Sequence, residues 1–423
     1  MTPLPRHLLP DTAVVDDGGR LSIGGCDVLD LAAQHGTPLF VYDEAHLRAR
    51  CREAMAAFPD GVAYATKAFL CRAMARLVHE EGLYLDVASG GELHVVLAAG
   101  VPAERLVVHG NNKSEAELAR ALDVGAGRIV VDSDDELDRL ERVVAGGVPP
   151  PSVLIRITPG VEAHTHELIR TGQLDSKFGF AVATGAAEKA LARAAASPAV
   201  ELVGIHVHIG SQVFVADFFH QAIDVLAPFV TRFELPELSI GGGLGVAYIE
   251  EDDAPTITEW GASVLDACRA AGVHGRVTAE PGRVIAAAAA ITVYEVGTIK
   301  ELHDIRTYVA VDGGFGDNPR PVLYGSGYES FLPRATFADR TRTVTVVGKH
   351  CESGDLLVRD ARVPEELRVG DYLATPVTGA YGHSMGSNYN KVHRPAVLFV
   401  RDGEARLVVR REDDNDLLAT DLD

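Results

Sequence analysis

The first residue of this sequence placed to do chemistry is Lys67, in Tyr64-Ala-Thr-Lys-Ala68, directly after a β-type run. An amine at a strand end, partly withdrawn from water, is a candidate nucleophile able to form a Schiff base, although the dipeptide alone better suits an ordinary solvated surface lysine. Gly241-Gly-Gly-Leu-Gly245 also follows a strand-like run, and backbone N–H groups in such a loop can hold a phosphate; simple glycine turns look the same. Glu280-Pro-Gly-Arg283 pairs an acid that can hold a protonated ring nitrogen with a guanidinium suited to a carboxylate or phosphate, or else forms an internal ion pair.

His206 and His208 alternate in a strand, so both rings share one face and suit stacking or hydrogen bonding. A metal would need a third ligand of recognisable spacing, which the sequence does not offer near them, and His164 and His166 sit in a loop. Farther on, His350-Cys-Glu-Ser-Gly-Asp355 and Thr378-Gly-Ala-Tyr-Gly382 combine a thiol, carboxylates and a phenol. Cys351 can donate a proton there and Glu352 can bind an ammonium, against the alternative of a small buried hydrophobe for the cysteine. Arg320, with Tyr324 nearby, is a carboxylate clamp or part of a surface turn.

The elements that must position these groups follow from patterning. Eight runs rich in β-branched residues alternate with helical stretches: Val62–Thr66, Leu83–Val87, Leu106–His109, Ile129–Asp132, Val153–Ile157, Leu202–His208, Leu238–Gly241 and Val277–Glu280. Helical periodicity fills gaps between them, as in Glu92–Ala99, Ser114–Leu122, Asp134–Val144, Gly185–Ala196 and Asp217–Phe233. This predicts an α/β fold, a closed (β/α)₈ barrel, rather than a doubly wound sheet, whose G-x-G-x-x-G turn is absent after the first run. Reactive groups of such barrels sit at the carboxyl ends of the strands, where this chain carries Lys67, Asp86, Ser89, His109, Asn111, Asn112, Asp132, Arg156, His206, His208 and Glu280. Beyond about Ala290 the helical period fades into short strands such as Thr307–Asp312, Thr343–Gly348, Leu356–Arg359 and Ala396–Val400, a second and mainly β domain that Leu39–Tyr42 can join. The acidic segment Glu412–Asp423 reads as a mobile tail.

The 423 residues suffice for two or three domains, and 47% hydrophobic residues suffice for a large core. The formal charge of −21 disfavours a nucleic-acid partner. Five scattered cysteines without C-x-x-C spacing read as a reducing compartment. The amino terminus lacks a basic and then apolar leader, and the most apolar run is too short to span a bilayer, so a cytoplasmic protein without membrane partners is expected.

Together, Tyr-x-x-Lys-Ala, Ser176-Lys-Phe-Gly179, His206-x-His-Ile-Gly-Ser-Gln212, Gly-Gly-Gly-Leu-Gly, Glu-Pro-Gly-Arg, Cys-Glu-Ser-Gly-Asp and Gly-Ala-Tyr-Gly resemble, in order, the fold-type III pyridoxal-phosphate-dependent amino acid decarboxylases, from about Pro38 to Val400. The resemblance implies a cofactor-binding barrel over residues 43–287. It also implies a β-sandwich or β-barrel domain from residues 1–42 and 288–423 that completes the active site of the partner in a homodimer. By resemblance, Lys67 forms the Schiff base with pyridoxal 5'-phosphate, His208 stacks on its ring and Glu280 partners the ring nitrogen. Asp86, Ser211, Gly242, Gly243, Gly282 and Arg283 line the cofactor, Arg283 reaching substrate too, and Tyr381 touches both. Arg320, Tyr324 and Glu352 hold the distal end of the substrate, and Cys351 donates a proton. A distal Arg and carboxylate suit a zwitterionic head group and favour meso-2,6-diaminopimelate, giving L-lysine and carbon dioxide, over ornithine. Phe69 and His383 stand where the family often has Asn and Tyr. A carboxylated polyamine or another basic amino acid as substrate stays open here, as does a non-catalytic homologue.

Overall fold

The computed structural model describes residues 3–161 and 175–422, so His164 and His166 lie outside the described residues. The chain forms two compact units: one of Arg50–Gly245 and Ala254–Val284, the other of Met1–Ala49, Val246–Asp253 and Ile285–Asp423.

The first unit is the parallel barrel that the alternating pattern predicts. Its strands in chain order are Ala63–Ala65, Tyr84–Val87, Leu106–Val108, Arg128–Val131, Ser152–Thr158, Glu201–His206, Glu237–Ser239 and Arg276–Thr278, each paired in parallel with the next. A parallel bridge from Val62 to Ala279 joins the last strand to the first, and Ala63 N–H donates to Ala279 C=O at 2.9 Å. Ala63, Val107, Val130 and Leu154 fill the interior as one buried cluster. At the amino-terminal mouth Glu237 meets Arg128 at 3.3 Å and Arg276 at 3.4 Å.

The helices between strands start where side chains can satisfy open N–H groups. Ser89, Ser133 and, in full capping boxes, Ser114 with Glu117 and Thr256 with Glu259 each accept from the backbone three residues on. Ser89, read from sequence among the polar strand ends, is thus spent on the start of the Gly90–Ala98 helix. The sixth strand stops at His206, two residues short of the expected end, and His208 lies in the loop that follows.

The second unit is built on an eight-stranded mixed sheet. Its central strand, Ala290–Leu302, runs thirteen residues, pairing first with Leu39–Asp43 and Tyr372–Pro376 and then with Arg306–Val311. Leu39–Asp43 also lies parallel to Ala396–Arg401, so the short run ahead of the barrel does join this sheet. The expectation of a mobile acidic tail is corrected: Asp414–Leu418 is a short helix with an Asp413/Asp416 capping box, and Arg410 holds Asp416 at 2.5 and 2.6 Å. Among the described residues no helix is long and apolar enough to cross a membrane.

Candidate active site

Lys67 sits on a single helical turn, Thr66–Ala68, at the end of the first barrel strand, and its side chain is exposed. That turn is stapled from both sides: Thr66 Oγ1 donates to Asp86 C=O at 2.7 Å, and Tyr64 Oη donates to Phe69 C=O at 3.0 Å. The Glu280–Arg283 turn packs directly against it, since a Cβ on Gly282 would lie 2.9 Å from Ala65 Cβ. Gly241 and Gly243 are required by their backbone: φ is +64° and +118°, and a Cβ would come within 2.2 Å of Val207 O and 2.5 Å of Gly210 O. The glycine loop therefore runs hard against the end of the sixth strand, where Gly242 N–H donates to His208 Nδ1 at 3.3 Å. Beside it, Arg283 Nη2 donates to Ser211 Oγ at 2.8 Å, joining a cation and a hydroxyl.

Glu280 is buried and gathers three side-chain partners. One oxygen lies 2.9 Å from His206 Nε2; the other takes His109 Nε2 at 3.2 Å and Ser239 Oγ at 3.2 Å. Two ligand-type residues, His109 and Glu280, do therefore join one histidine of the His-x-His pair, His206, from distant parts of the chain that spacing could not reveal. The facing atoms are engaged in imidazole–carboxylate hydrogen bonds. Burial opposes the charge on Glu280, yet His109 and His206 hold it well below the usual carboxylate range. Burial drives His206 down to about 4, making it a neutral donor, and His208 well below its ordinary value, with Lys67 and Arg156 adding to the fall. Asp86 is pushed up to about 6 by burial, which Glu280 reinforces and His109 and Lys67 oppose. Arg156 pairs with Asp132 at 3.4 Å, and its guanidinium lies 4.3 Å from the Phe178 ring centre.

In the other unit, Arg320 begins a short helix after Pro319 and is buried. Its guanidinium donates to Tyr328 Oη at 2.7 Å and Ser326 Oγ at 3.1 Å and lies 4.1 Å from the Tyr248 ring centre. Tyr248 and Tyr328 meet edge to face at 5.0 Å. Tyr324 on the same helix is half-buried, and Tyr381 is half-buried with φ +60°. Cys351 and Glu352 are exposed on a loop fixed from below. Asp355 accepts from Phe315 N–H at 2.7 Å and His350 N–H at 2.9 Å, Asn390 Oδ1 accepts from Cys351 N–H at 2.9 Å, and Tyr389 Oη donates to Glu352.

Within the barrel unit, then, Lys67, Asp86, His208, Ser211, Gly242, Gly243, Glu280 and Gly282 fall at strand ends or in the turns and loops just beyond them, and Arg283 opens the short Arg283–Ala286 helix that follows the last strand. Within the β unit, Arg320 and Tyr324 share one helix and Cys351 and Glu352 one loop. Sequence reasoning noted His109 only as a polar strand end and passed over Ser239, Tyr248 and Tyr328. Tyr248, shortly after Gly245, and Tyr328, after Tyr324, were the available signals.

Residues 44–287 match the family model for the pyridoxal binding domain of pyridoxal-dependent decarboxylases. The chain belongs to that family. It is 46% identical, over 99% of its length and 98% of the relative's, to the diaminopimelate decarboxylase of Mycobacterium tuberculosis. It is 45% identical to the enzyme of that name from Bacillus subtilis, with 98% of each covered. Among solved structures, diaminopimelate decarboxylase from M. jannaschii in complex with L-lysine superposes with a TM-score of 0.90 at 31% identity, over 97% of this chain and 98% of that one. The family's cofactor is pyridoxal phosphate.

Proposed function

We propose that this decarboxylase removes one carboxyl group from meso-2,6-diaminopimelate as carbon dioxide and leaves L-lysine. The observation that carries the substrate class is Arg320: a buried guanidinium aimed by two tyrosines, in the unit that also presents Glu352. One charge of each sign recognises a zwitterionic head group, which a simple diamine chain lacks. Similarity to diaminopimelate decarboxylases over nearly the whole chain supports the same substrate.

The barrel's donor set fits pyridoxal phosphate. Lys67 Nζ is an accessible amine for its aldehyde, and Glu280 is an anionic acceptor for a protonated ring nitrogen. His208 offers an imidazole face for the ring. Ser211, Gly242, Gly243, Gly282 and Arg283 gather hydroxyl, backbone and guanidinium donors for its phosphate, and Asp86 stands close enough to Lys67 and His109 to share their charge. When bound, the cofactor supplies an aldehyde for the substrate amine and a conjugated ring that takes up the electron pair left by departing carbon dioxide. Glu280 keeps the ring-nitrogen proton in place, and its own three donors keep it ionised. Cys351 Sγ delivers a proton to Cα. Arg320, Tyr324 and Glu352 bind the distal head group, Arg283 the near carboxylate, and Tyr381 packs against both substrate and cofactor.

Exposure of Cys351 and Glu352, two residues given work on the bound substrate, supports a homodimer in which the β unit of each copy completes the site on the other's barrel. Five scattered cysteines without C-x-x-C spacing and a biosynthetic reaction support a cytoplasmic location. Purified protein with pyridoxal phosphate and meso-2,6-diaminopimelate should yield lysine and carbon dioxide in equal amounts, with L-ornithine, L-lysine and carboxylated polyamines turned over at least a hundredfold more slowly. Turnover of one of those in preference would overturn the substrate assignment.

A further inference from the structure

We infer that His109 is a positioning residue for this reaction: it bridges Asp86 and Glu280 and holds the Glu280 carboxylate ionised and oriented toward the cofactor's ring nitrogen. The inference rests on the cofactor reading above and adds a residue to it.

His109 follows the third barrel strand, whose ladder it continues, its N–H donating to Val87 C=O at 2.8 Å. Its ring is buried, with Nε2 3.2 Å from Glu280 Oε1 and 3.7 Å from Asp86 Oδ1. One nitrogen thus faces two carboxylates from neighbouring directions, and the His206 ring meets the imidazole edge to face at 4.9 Å. The turn behind it is fixed as well: Lys113 Nζ donates to Gly110 C=O at 2.6 Å and to Val130 C=O at 2.8 Å, and pairs with Glu136 at 2.8 Å. A ring so anchored holds its carboxylate partner in one orientation.

The two histidines on Glu280 are not equivalent. His206 touches that carboxylate alone, and burial empties it of its proton. His109 has Asp86 as well, and although burial and Arg156 oppose the charge, the two carboxylates raise its proton affinity above the ordinary value. The titratable and charged groups facing it are Asp86 from the second strand, Arg156 from the fifth, the neutral His206 ring from the sixth and Glu280 beyond the eighth, with Lys67 acting on Asp86. Without the His109 ring, Glu280 would keep only His206 and Ser239 as partners beside the buried Asp86 carboxylate, and it would take up a proton at higher pH.

The test compares wild-type, His109→Phe and His109→Gln holoenzymes, following the cofactor's visible absorption against pH together with kcat and KM. In His109→Phe, kcat should fall at least tenfold with KM within about twofold, and the acid limb of both the absorption titration and kcat should move up by about one pH unit. His109→Gln keeps a donor but no charge, so it should recover part of kcat while retaining the displaced limb. Should His109→Phe fail to fold, the limb of His109→Gln decides. Titrations and kcat in both variants indistinguishable from wild type would overturn the inference. Wild-type protein that binds cofactor but makes no lysine would overturn the substrate reading alone, the spectral limb still testing His109; wild-type protein that binds no cofactor would overturn both.

Discussion

Lys67, Glu280 and Cys351 divide the proposed chemistry among side chains with different surroundings. The amine is exposed on a stapled turn, the acid is buried under three donors, and the thiol is exposed on a loop whose backbone is tied to Asn390. Replacing Cys351 by Ser should lower kcat about a hundredfold or more and leave KM nearly unchanged, because proton delivery to Cα is lost while the binding groups stay; steady-state kinetics checks this. Arg320→Lys should act oppositely, raising KM for diaminopimelate at least tenfold, since an ammonium cannot reproduce the forked contact or the stacking on Tyr248. Close to Arg320, Asp317 is buried and its proton affinity is pushed up to about 7 by burial, with Asp312 and Asp355 adding to the rise and Gly314 N–H and Arg411 opposing it. Its folded value lies above the ordinary 3.8, so its contribution to stability is complete below about pH 4 and lost as pH climbs through about 7. Thermal unfolding should therefore show Asp317→Asn gaining on the native chain by several degrees between about pH 5 and about pH 8.

At the scale of elements, the site depends on strand ends that approach too closely for any side chain. Gly241→Ala places a methyl group against Val207 O in a left-handed backbone, so equilibrium dialysis should show cofactor affinity reduced at least tenfold. Such positions were legible in advance because the barrel's period is regular: β-branched runs mark the strands, and the polar residue after each run marks the mouth. What the sequence could not display was pairing across the barrel. His109 meets Glu280 from 171 residues away, and no local pattern links them. The long Ala290–Leu302 strand escaped for another reason. Its first five residues are buried between two neighbours and show no alternation, so they read as an apolar run rather than a strand. The acidic tail misled through composition, since its charges are placed to cap a short helix and bind Arg410.

For the whole molecule, the division of labour between a barrel unit and a β unit makes a prediction about assembly. If each site draws on two copies, mixing inactive Lys67→Ala and Cys351→Ala homodimers under conditions of subunit exchange should restore about a quarter of native activity, because half the sites of each mixed dimer are intact. No recovery despite demonstrated exchange would mean that each chain completes its own site. The charge of −21 keeps copies apart at neutral pH and opposes nonspecific association, so a dimer must rest on specific contacts and should persist in high salt. Above all of this stands one covalent claim, that Lys67 is the amine that carries the cofactor. Borohydride reduction of the holoprotein followed by peptide mass spectrometry should find the pyridoxyl group on the Lys67 peptide; a group on any other lysine, or on none, would contradict the account.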